Sequence, residues 1–179
     1  LIEEGAKRCQ AIVQKLMKYA RKTVEETPHK DVDLREVVRG TCELLGFQFQ
    51  QQNIEIEMKL GAVPPVKGIS GELDQVLTNL LVNARDAIQA AKVKGKVLVE
   101  TRVSARGVEM VVSDNGIGIS KENQKKIFDP FFTTKDVGSG TGLGLAVSFG
   151  ILKRHNATIS VDSAPGKGAT FVVCFPSQA

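Results

Sequence analysis

The stretch LDQVLTNLLVNARDA, residues 73–87, decides the fold because it combines a helical apolar face with two amide side chains. Asn79 and Asn83 are four residues apart, so a helix places them on one side. An amide among leucines costs free energy unless it finds a partner. The pair is therefore either a set of solvent-facing or capping amides, or a source of oxygen ligands for a hard cation such as Mg²⁺. The apolar positions with helical spacing predict a helix over 71–91: Leu73, Val76, Leu77, Leu80, Leu81, Ala84, Ala87 and Ile88.

The composition bounds the class of protein. The chain has 179 residues, 42% hydrophobic and 25% charged, with a net charge of +4, which is enough for one domain and an appendage. No apolar run approaches a membrane span, so we expect this segment to be cytoplasmic and without direct membrane contact, whether or not the full-length bacterial protein is anchored in a membrane. The dispersed charge and the absence of Trp argue against nucleic acid. Cys9, Cys42 and Cys174 are isolated, which favours buried thiols over a zinc site or disulfides.

The first segment, from Leu1 to about Glu26, has the heptad spacing of an amphipathic helix. Such a helix either packs on its own domain or forms part of a dimerisation bundle. Pro28 ends it, and TPHKD, residues 27–31, is predicted to be a hinge. The apolar seam consists of Ile2, Ala6, Cys9, Val13, Leu16 and Ala20.

Helices and strands then follow one another in a mixed order, which predicts an α+β fold with a sheet packed on helices. A loop as long as 115–139 is uncommon unless it is either functional or disordered. The further helices are predicted at Leu34 to Leu45 and from about Gly142 to Arg154, and the strands at 53–58, 97–103, 108–112, 158–161 and 169–175.

Asp114 comes directly after an apolar strand, where a lone carboxylate is costly. It either caps a turn or accepts a hydrogen bond from an exocyclic amine. Adenine offers such an amine, whereas guanine offers a carbonyl oxygen that a carboxylate would repel. Gly116 and Gly118 follow, and glycines let a flat base approach the backbone.

The stretch GSGTGLGLA, residues 138–146, has a glycine at every second position before a predicted helix. A glycine-rich loop that runs into a helix N-terminus presents free N–H groups to an anion. Lys135, just before it, is the natural partner of a phosphate. The nearby Phe128, Phe131 and Phe132 either form a docking surface or lid, or pack under the loop. The chain has neither a Walker motif nor a GxGxxG after a strand.

Taken in order, these motifs resemble the catalytic, ATP-binding domain of two-component sensor histidine kinases. That domain belongs to the GHKL superfamily, with gyrase, the mismatch-repair ATPases and the heat-shock chaperone. The resemblance covers about residue 32 to the end, and implies the Bergerat fold, a two-layer α/β sandwich with a mixed sheet, preceded by an N-terminal helix. It further implies that 1–27 is part of the second helix of a dimerisation and phosphotransfer hairpin, and that 28–179 is the catalytic domain. The matching boxes are 73–87, 114–118, 128–132, 140–145 and 166–171.

The resemblance implies a role for each box. Asn83 would hold Mg²⁺, with Asn79 near the phosphates of ATP or ADP. Asp114 would bind the adenine amine with help from a water and Thr170. Lys135 would reach the terminal phosphate, as would Arg85 unless it forms a surface ion pair. The phosphate cradle would comprise Gly140, Thr141, Gly142, Leu143 and Gly144, and the lid would hinge at Gly116 and Gly118.

The implied activity is transfer of the γ-phosphate of Mg-ATP to a histidine on a separate dimerisation helix, then to a response-regulator aspartate. The full protein would be a homodimer.

Neither His29 nor His155 matches the acceptor motif, so we expect no acceptor in cis. His155 instead lies at the end of a predicted helix, where a cationic side chain would suit the C-terminus. Hydrolytic members carry a glutamate where Asn79 stands, and an amide cannot take a proton from water. Hydrolysis should be negligible, while a GHKL-type ATPase and a degenerate nucleotide-binding scaffold remain the alternatives.

Overall fold

The computed structural model describes residues 28–135 and 141–177. The predicted N-terminal helix, Cys9, Gly138 and Gly140 lie outside these ranges. The helices of the described part are α1 (Leu34–Gln51), α2 (Ser70–Ala91), α3 (Lys121–Gln124) and α4 (Gly144–Arg154). The strands are β1 (Lys30–Val32), β2 (Ile54–Leu60), β3 (Val66–Gly68), β4 (Gly95–Ser104), β5 (Gly107–Asp114), β6 (Thr158–Ser163) and β7 (Ala169–Pro176).

Five strands form one mixed sheet in the order β2-β4-β5-β7-β6. The β2–β4 pair is parallel, and the other three pairs are antiparallel. The parallel pair requires a crossover, which α2 provides because it lies between β2 and β4 in sequence. The predicted α+β sandwich with a mixed sheet is thus confirmed.

The core lies between the helices and one face of this sheet. Residues on α2 alternate in steps of three and four, so one side of the helix is completely enclosed. Burying one such leucine or valine stabilises the fold by about 1.5–3 kcal/mol. The residues that are at most 1% exposed include Leu73, Val76, Leu77, Leu80 and Leu81 of α2, and Val97, Val99, Met110, Val112 and Val173 of the sheet.

Helix α1 extends six residues beyond its predicted end at Leu45, to Gln51. Gly46 made a continuation unlikely on propensity alone, because glycine is a poor helix former. Phe49 overrides that preference, since its side chain is 0% exposed and continues the apolar side of the helix. The expected hinge differs as well: Lys30 and Asp31 lie in β1, which pairs with β3 through Lys30–Gly68 and Val32–Val66.

His155 is buried at the C-terminal end of α4, contrary to the expectation of a cation there. Its Nδ1 bonds to the Ile151 carbonyl at 2.9 Å, and its Nε2 accepts the N–H of Ile69, the N-cap of α2, at 3.0 Å. Burial lowers the pKa of His155, with a smaller contribution from His29, whose ring stacks on it at 4.6 Å. A neutral imidazole therefore joins α4 to the start of α2, because a protonated Nε2 could not accept a hydrogen bond.

None of the four helices in the described part of the chain combines the length and the apolarity that a membrane crossing needs.

Candidate functional site

A cleft of about 840 Å³ lies between α2, the segment after β5 and the first turn of α4. Its size is in the range of ordinary small-molecule sites. Most of the residues that the sequence singled out line it. These are Asn79, Asn83, Asp114, Gly118, Lys135, Thr141, Gly142 and Gly144, together with Arg85, Asp86, Phe132, Ala169 and Phe171.

The two asparagines of α2 have different surroundings. The Asn79 amide donates to the Gly144 carbonyl and to the Ser148 hydroxyl, both at 3.0 Å, so both of its donors are used by α4. Asn83 has no side-chain hydrogen bond to any residue in the described ranges, although it is half-buried and lines the cleft. An unpaired amide oxygen that faces a cleft is a suitable ligand for a hard cation.

Asp114 ends β5 with its carboxylate in the cleft. One oxygen accepts the Gly116 N–H at 2.7 Å, so the carboxylate caps the turn that follows the strand. Burial raises the pKa of Asp114, against the backbone N–H groups of Gly116 and Ala169, which lower it. No basic side chain in the described residues forms an ion pair with Asp114, and the other carboxylate oxygen can accept a donor from a ligand.

The glycines after Asp114 are needed for packing within the protein. A Cβ on Gly116 would lie 2.6 Å from the backbone of Ala87 in α2, so glycine lets this segment lie directly on the helix. Gly118 has φ +70°, and its Cβ would lie 2.0 Å from the Ala164 carbonyl oxygen. These contacts give both glycines a packing role within the protein, and the expected approach of a flat base to them stays a prediction.

The segment that leads into α4 is tied to the phenylalanine box. Phe131 has φ +68° and donates its N–H to the Gly142 carbonyl at 2.9 Å. Gly142 has φ +64°, so α4 begins at Gly144 and not at Gly142 as predicted. Leu143 is the N-cap of α4 and does not line the cleft. Gly140, which completes the expected cradle, lies outside the described residues.

Two of the three phenylalanines that were expected either to form a docking surface or lid, or to pack under the loop, take the packed role. Phe128 and Phe132 pack against the core, and the Phe128 ring lies 5.6 Å from that of Phe149. Phe132 also lines the cleft. Phe149 remains 45% exposed.

Lys135 reaches across the cleft to α2, where its Nζ lies 2.5 Å from the Asp86 carboxylate. The other oxygen of Asp86 accepts two bonds from Arg85, at 2.7 and 2.9 Å. Arg85 was expected either to reach the terminal phosphate or to form a surface ion pair, and in the structure it forms an ion pair with Asp86. Sequence reasoning missed Asp86, although it follows Asn83 by three residues and shares its side of the helix.

Thr170 lies on the face of the sheet that points away from the cleft. It is opposite Ser113 in the β5–β7 register, and the two hydroxyls are 2.9 Å apart. Ala169 pairs with Asp114 instead and lines the cleft. Because successive side chains of a strand point to opposite faces, Thr170 is not among the residues that the structure brings together with Asp114.

The family model described as histidine kinase-, DNA gyrase B-, and HSP90-like ATPase matches residues 68–179. The chain belongs to this family. Within it, the chain is similar to sensor histidine kinases: it is 36% identical to the sensor kinase CckA of Brucella abortus over 98% of its length. It is 38% identical to the signal transduction histidine-protein kinase AtoS of Escherichia coli over 92% of its length. The chain spans only 20% and 26% of these two relatives.

Solved structures of this family have the same fold. The catalytic domain of the histidine kinase ThkA, in a nucleotide-free form, has a TM-score of 0.71 at 28% identity, and covers 84% of this chain and 96% of its own. Full-length ShkA in complex with AMPPNP has a TM-score of 0.73 at 28% identity, over 86% of this chain and 32% of that one. The family model, the relatives and the solved structures agree that the chain is a catalytic, ATP-binding domain of the histidine kinase type.

Proposed function

We propose that this domain binds Mg-ATP in the cleft and transfers the γ-phosphate to a histidine on a separate dimerisation helix. The observation that supports this most is the cleft itself, which is lined by the Asp114 carboxylate, without an ion pair among the described residues, and by the Asn83 amide, without a side-chain hydrogen bond among them. Phosphoryl transfer is achieved mainly by positioning and charge neutralisation, so the cleft itself need not supply the nucleophile, which is the acceptor imidazole on the separate helix.

Asp114 is proposed to select adenine. Its free carboxylate oxygen would accept the exocyclic amine, while its other oxygen stays fixed by the Gly116 N–H. Guanine presents an oxygen at that position, so ionised Asp114 would repel it. Thr170 has no part in this proposal because it faces the other side of the sheet, and Ala169 offers the base a small apolar contact instead.

Asn83 and Lys135 are proposed to serve the phosphates. The Asn83 amide oxygen fits Mg²⁺, which takes oxygen ligands from proteins and keeps others for water and phosphate. When bound, Mg²⁺ would offset the charge of the phosphates. Lys135 would supply a second positive charge, and the N–H groups at the start of α4 would supply donors for the phosphate oxygens.

Asn79 argues against the alternative of an ATP-hydrolysing member of the family. Both of its donors are used by Gly144 and Ser148, so the amide is held as a brace between α2 and α4. An amide has no basic site for a proton from water. The phosphate is therefore proposed to go to an imidazole and not to water.

The partners are proposals of the same kind. The names of CckA and AtoS describe sensor or signal transduction kinases. We accordingly propose a response regulator as the onward acceptor, and a homodimer in the full protein. Residues 1–27 are proposed to be part of the dimerisation hairpin, on the grounds of their heptad spacing and of the resemblance to sensor histidine kinases.

Calorimetric titration with Mg-ADP and Mg-GDP tests the binding site. We expect the wild-type chain to bind ADP and to discriminate against GDP. Asp114→Asn should lose at least tenfold in ADP affinity, equivalent to about 1.4 kcal/mol. Ser113→Ala is the matched control, because this neighbour points to the opposite face of the same strand.

Equal losses in Asp114→Asn and Ser113→Ala would mean that the end of β5 is merely sensitive to substitution. An unchanged affinity in Asp114→Asn would reject Asp114 as the adenine contact. A folded wild-type chain that binds neither nucleotide would favour the degenerate scaffold.

A further inference from the structure

Asp86 is a carboxylate in the wall of a cleft that is proposed to bind phosphates. A negative charge there opposes the binding of an anion. Yet Asp86 is only half-buried, so its presence is not needed to complete the core. Its contacts indicate what it does.

The two oxygens of Asp86 have different cationic partners. Arg85, its neighbour in α2, donates to one oxygen through Nε and Nη2. Lys135, which is 49 residues away in sequence, approaches the other oxygen at 2.5 Å. The Arg85 contact is local to the helix, whereas the Lys135 contact spans the mouth of the cleft.

We propose that Asp86 is a built-in competitor for Lys135, and that a terminal phosphate of the nucleotide takes its place. This inference rests on the proposed function of the cleft. Without nucleotide, Asp86 holds the Lys135 ammonium in position. When a di- or triphosphate enters, the Lys135 ammonium exchanges the Asp86 oxygen for a phosphate oxygen. The free energy of the lost Lys135–Asp86 contact is subtracted from that of the new contact, so Asp86 lowers the affinity for the nucleotide.

Arg85 reduces the free-energy cost of moving Lys135 from Asp86 to a phosphate. When Lys135 leaves, two hydrogen bonds from Arg85 still neutralise Asp86, so no unpaired carboxylate remains beside the phosphates. The Lys135 and Asp86 side chains are 35% and 21% exposed, which places the pair near the surface. Pairs of that kind are weak, equivalent to a factor of about two to five in an equilibrium constant.

A double-mutant cycle on Mg-ADP affinity tests the competition. Asp86→Asn removes the competitor, so it should bind Mg-ADP about two- to fivefold more tightly than the wild type. Lys135→Met should bind more weakly than the wild type. In the Lys135→Met background there is no ammonium for Asp86 to hold. Asp86→Asn should therefore change the Mg-ADP affinity by less than about 1.5-fold there. Asp162→Asn is the charge-matched control, because Asp162 is exposed on β6, outside the cleft.

Three results would overturn this role for Asp86. An equal gain in both backgrounds would mean that Asp86 acts by direct repulsion of the phosphates or through Arg85, and does not compete for Lys135. An unchanged or reduced affinity in Asp86→Asn would mean that Asp86 does not oppose binding. Wild-type affinity in Lys135→Met would remove Lys135 from the site.

The failure of the proposed function has its own signature. If the wild-type chain binds no Mg-ADP, both proposals fail together. If the wild type binds and Asp114→Asn does not, while Asp86→Asn equals the wild type, then only the competition fails.

Discussion

Replacing Asn79 with alanine should destabilise the domain by about 2 kcal/mol. The estimate comes from the two bonds that the Asn79 amide donates to α4, at 3.0 Å each. A neutral hydrogen bond contributes roughly 0.5–1.5 kcal/mol. The loss is limited because the Gly144 carbonyl keeps its bond from the Ser148 hydroxyl at 2.9 Å.

Urea unfolding followed by circular dichroism measures this loss, and Asn83→Ala is the matched control. Asn83 lies one turn further along the same helix and has no side-chain hydrogen bond in the described residues, so its replacement should cost within about 0.5 kcal/mol. Ser148→Ala and Asn79→Ala should couple by roughly 1 kcal/mol, since they share one bond. If Asn79→Ala and Asn83→Ala are equally stable, the brace between α2 and α4 does not exist.

Three further outcomes follow from the structure. Stability should fall as the pH drops below the ordinary histidine pKa of about 6.5, because burial lowers the pKa of His155 and the unfolded chain takes up the proton first. The pH profile of the unfolding free energy should be flatter in His155→Gln, and an identical profile would contradict this. Gly168→Ala should lower the melting temperature, because its φ is +71° and a Cβ would lie 1.9 Å from the Asp114 carbonyl oxygen. Gly150→Ala, which has nothing within 4 Å, should raise it, and equal shifts would refute the clash. The chain should release no phosphate from Mg-ATP at steady state, because Asn79 is not a base, and sustained release in a phosphate assay would favour an ATPase.

The parts of the fold that were predictable are those with a long periodic signal. Helix α2 has 22 residues and an apolar side that recurs throughout, so its type and its buried residues could be read directly. Strands β1 and β3 have three residues each, which is too short for an alternating pattern. Their pairing also joins residues 34 to 38 positions apart, since Val32 pairs with Val66 and Lys30 with Gly68, so local sequence could not reveal it.

The candidate site was predictable to the extent that its residues share one element. Asn79 and Asn83 lie on one side of α2 whatever surrounds it, so helical spacing sufficed. Thr170 required the register of β5 against β7, since a shift of one residue turns a side chain to the other face. The burial of His155 depends on the stacking of His29 and on the N-cap of α2, which lie far from it in sequence.

A crystal structure of the chain with Mg-ADP tests the central claim most directly. We expect the adenine amine within hydrogen-bonding distance of the Asp114 carboxylate and the Asn83 amide oxygen on Mg²⁺. We also expect Lys135 on a terminal phosphate and Asp86 still bonded to Arg85. A nucleotide bound outside the cleft, or an adenine that points away from Asp114, would contradict the account.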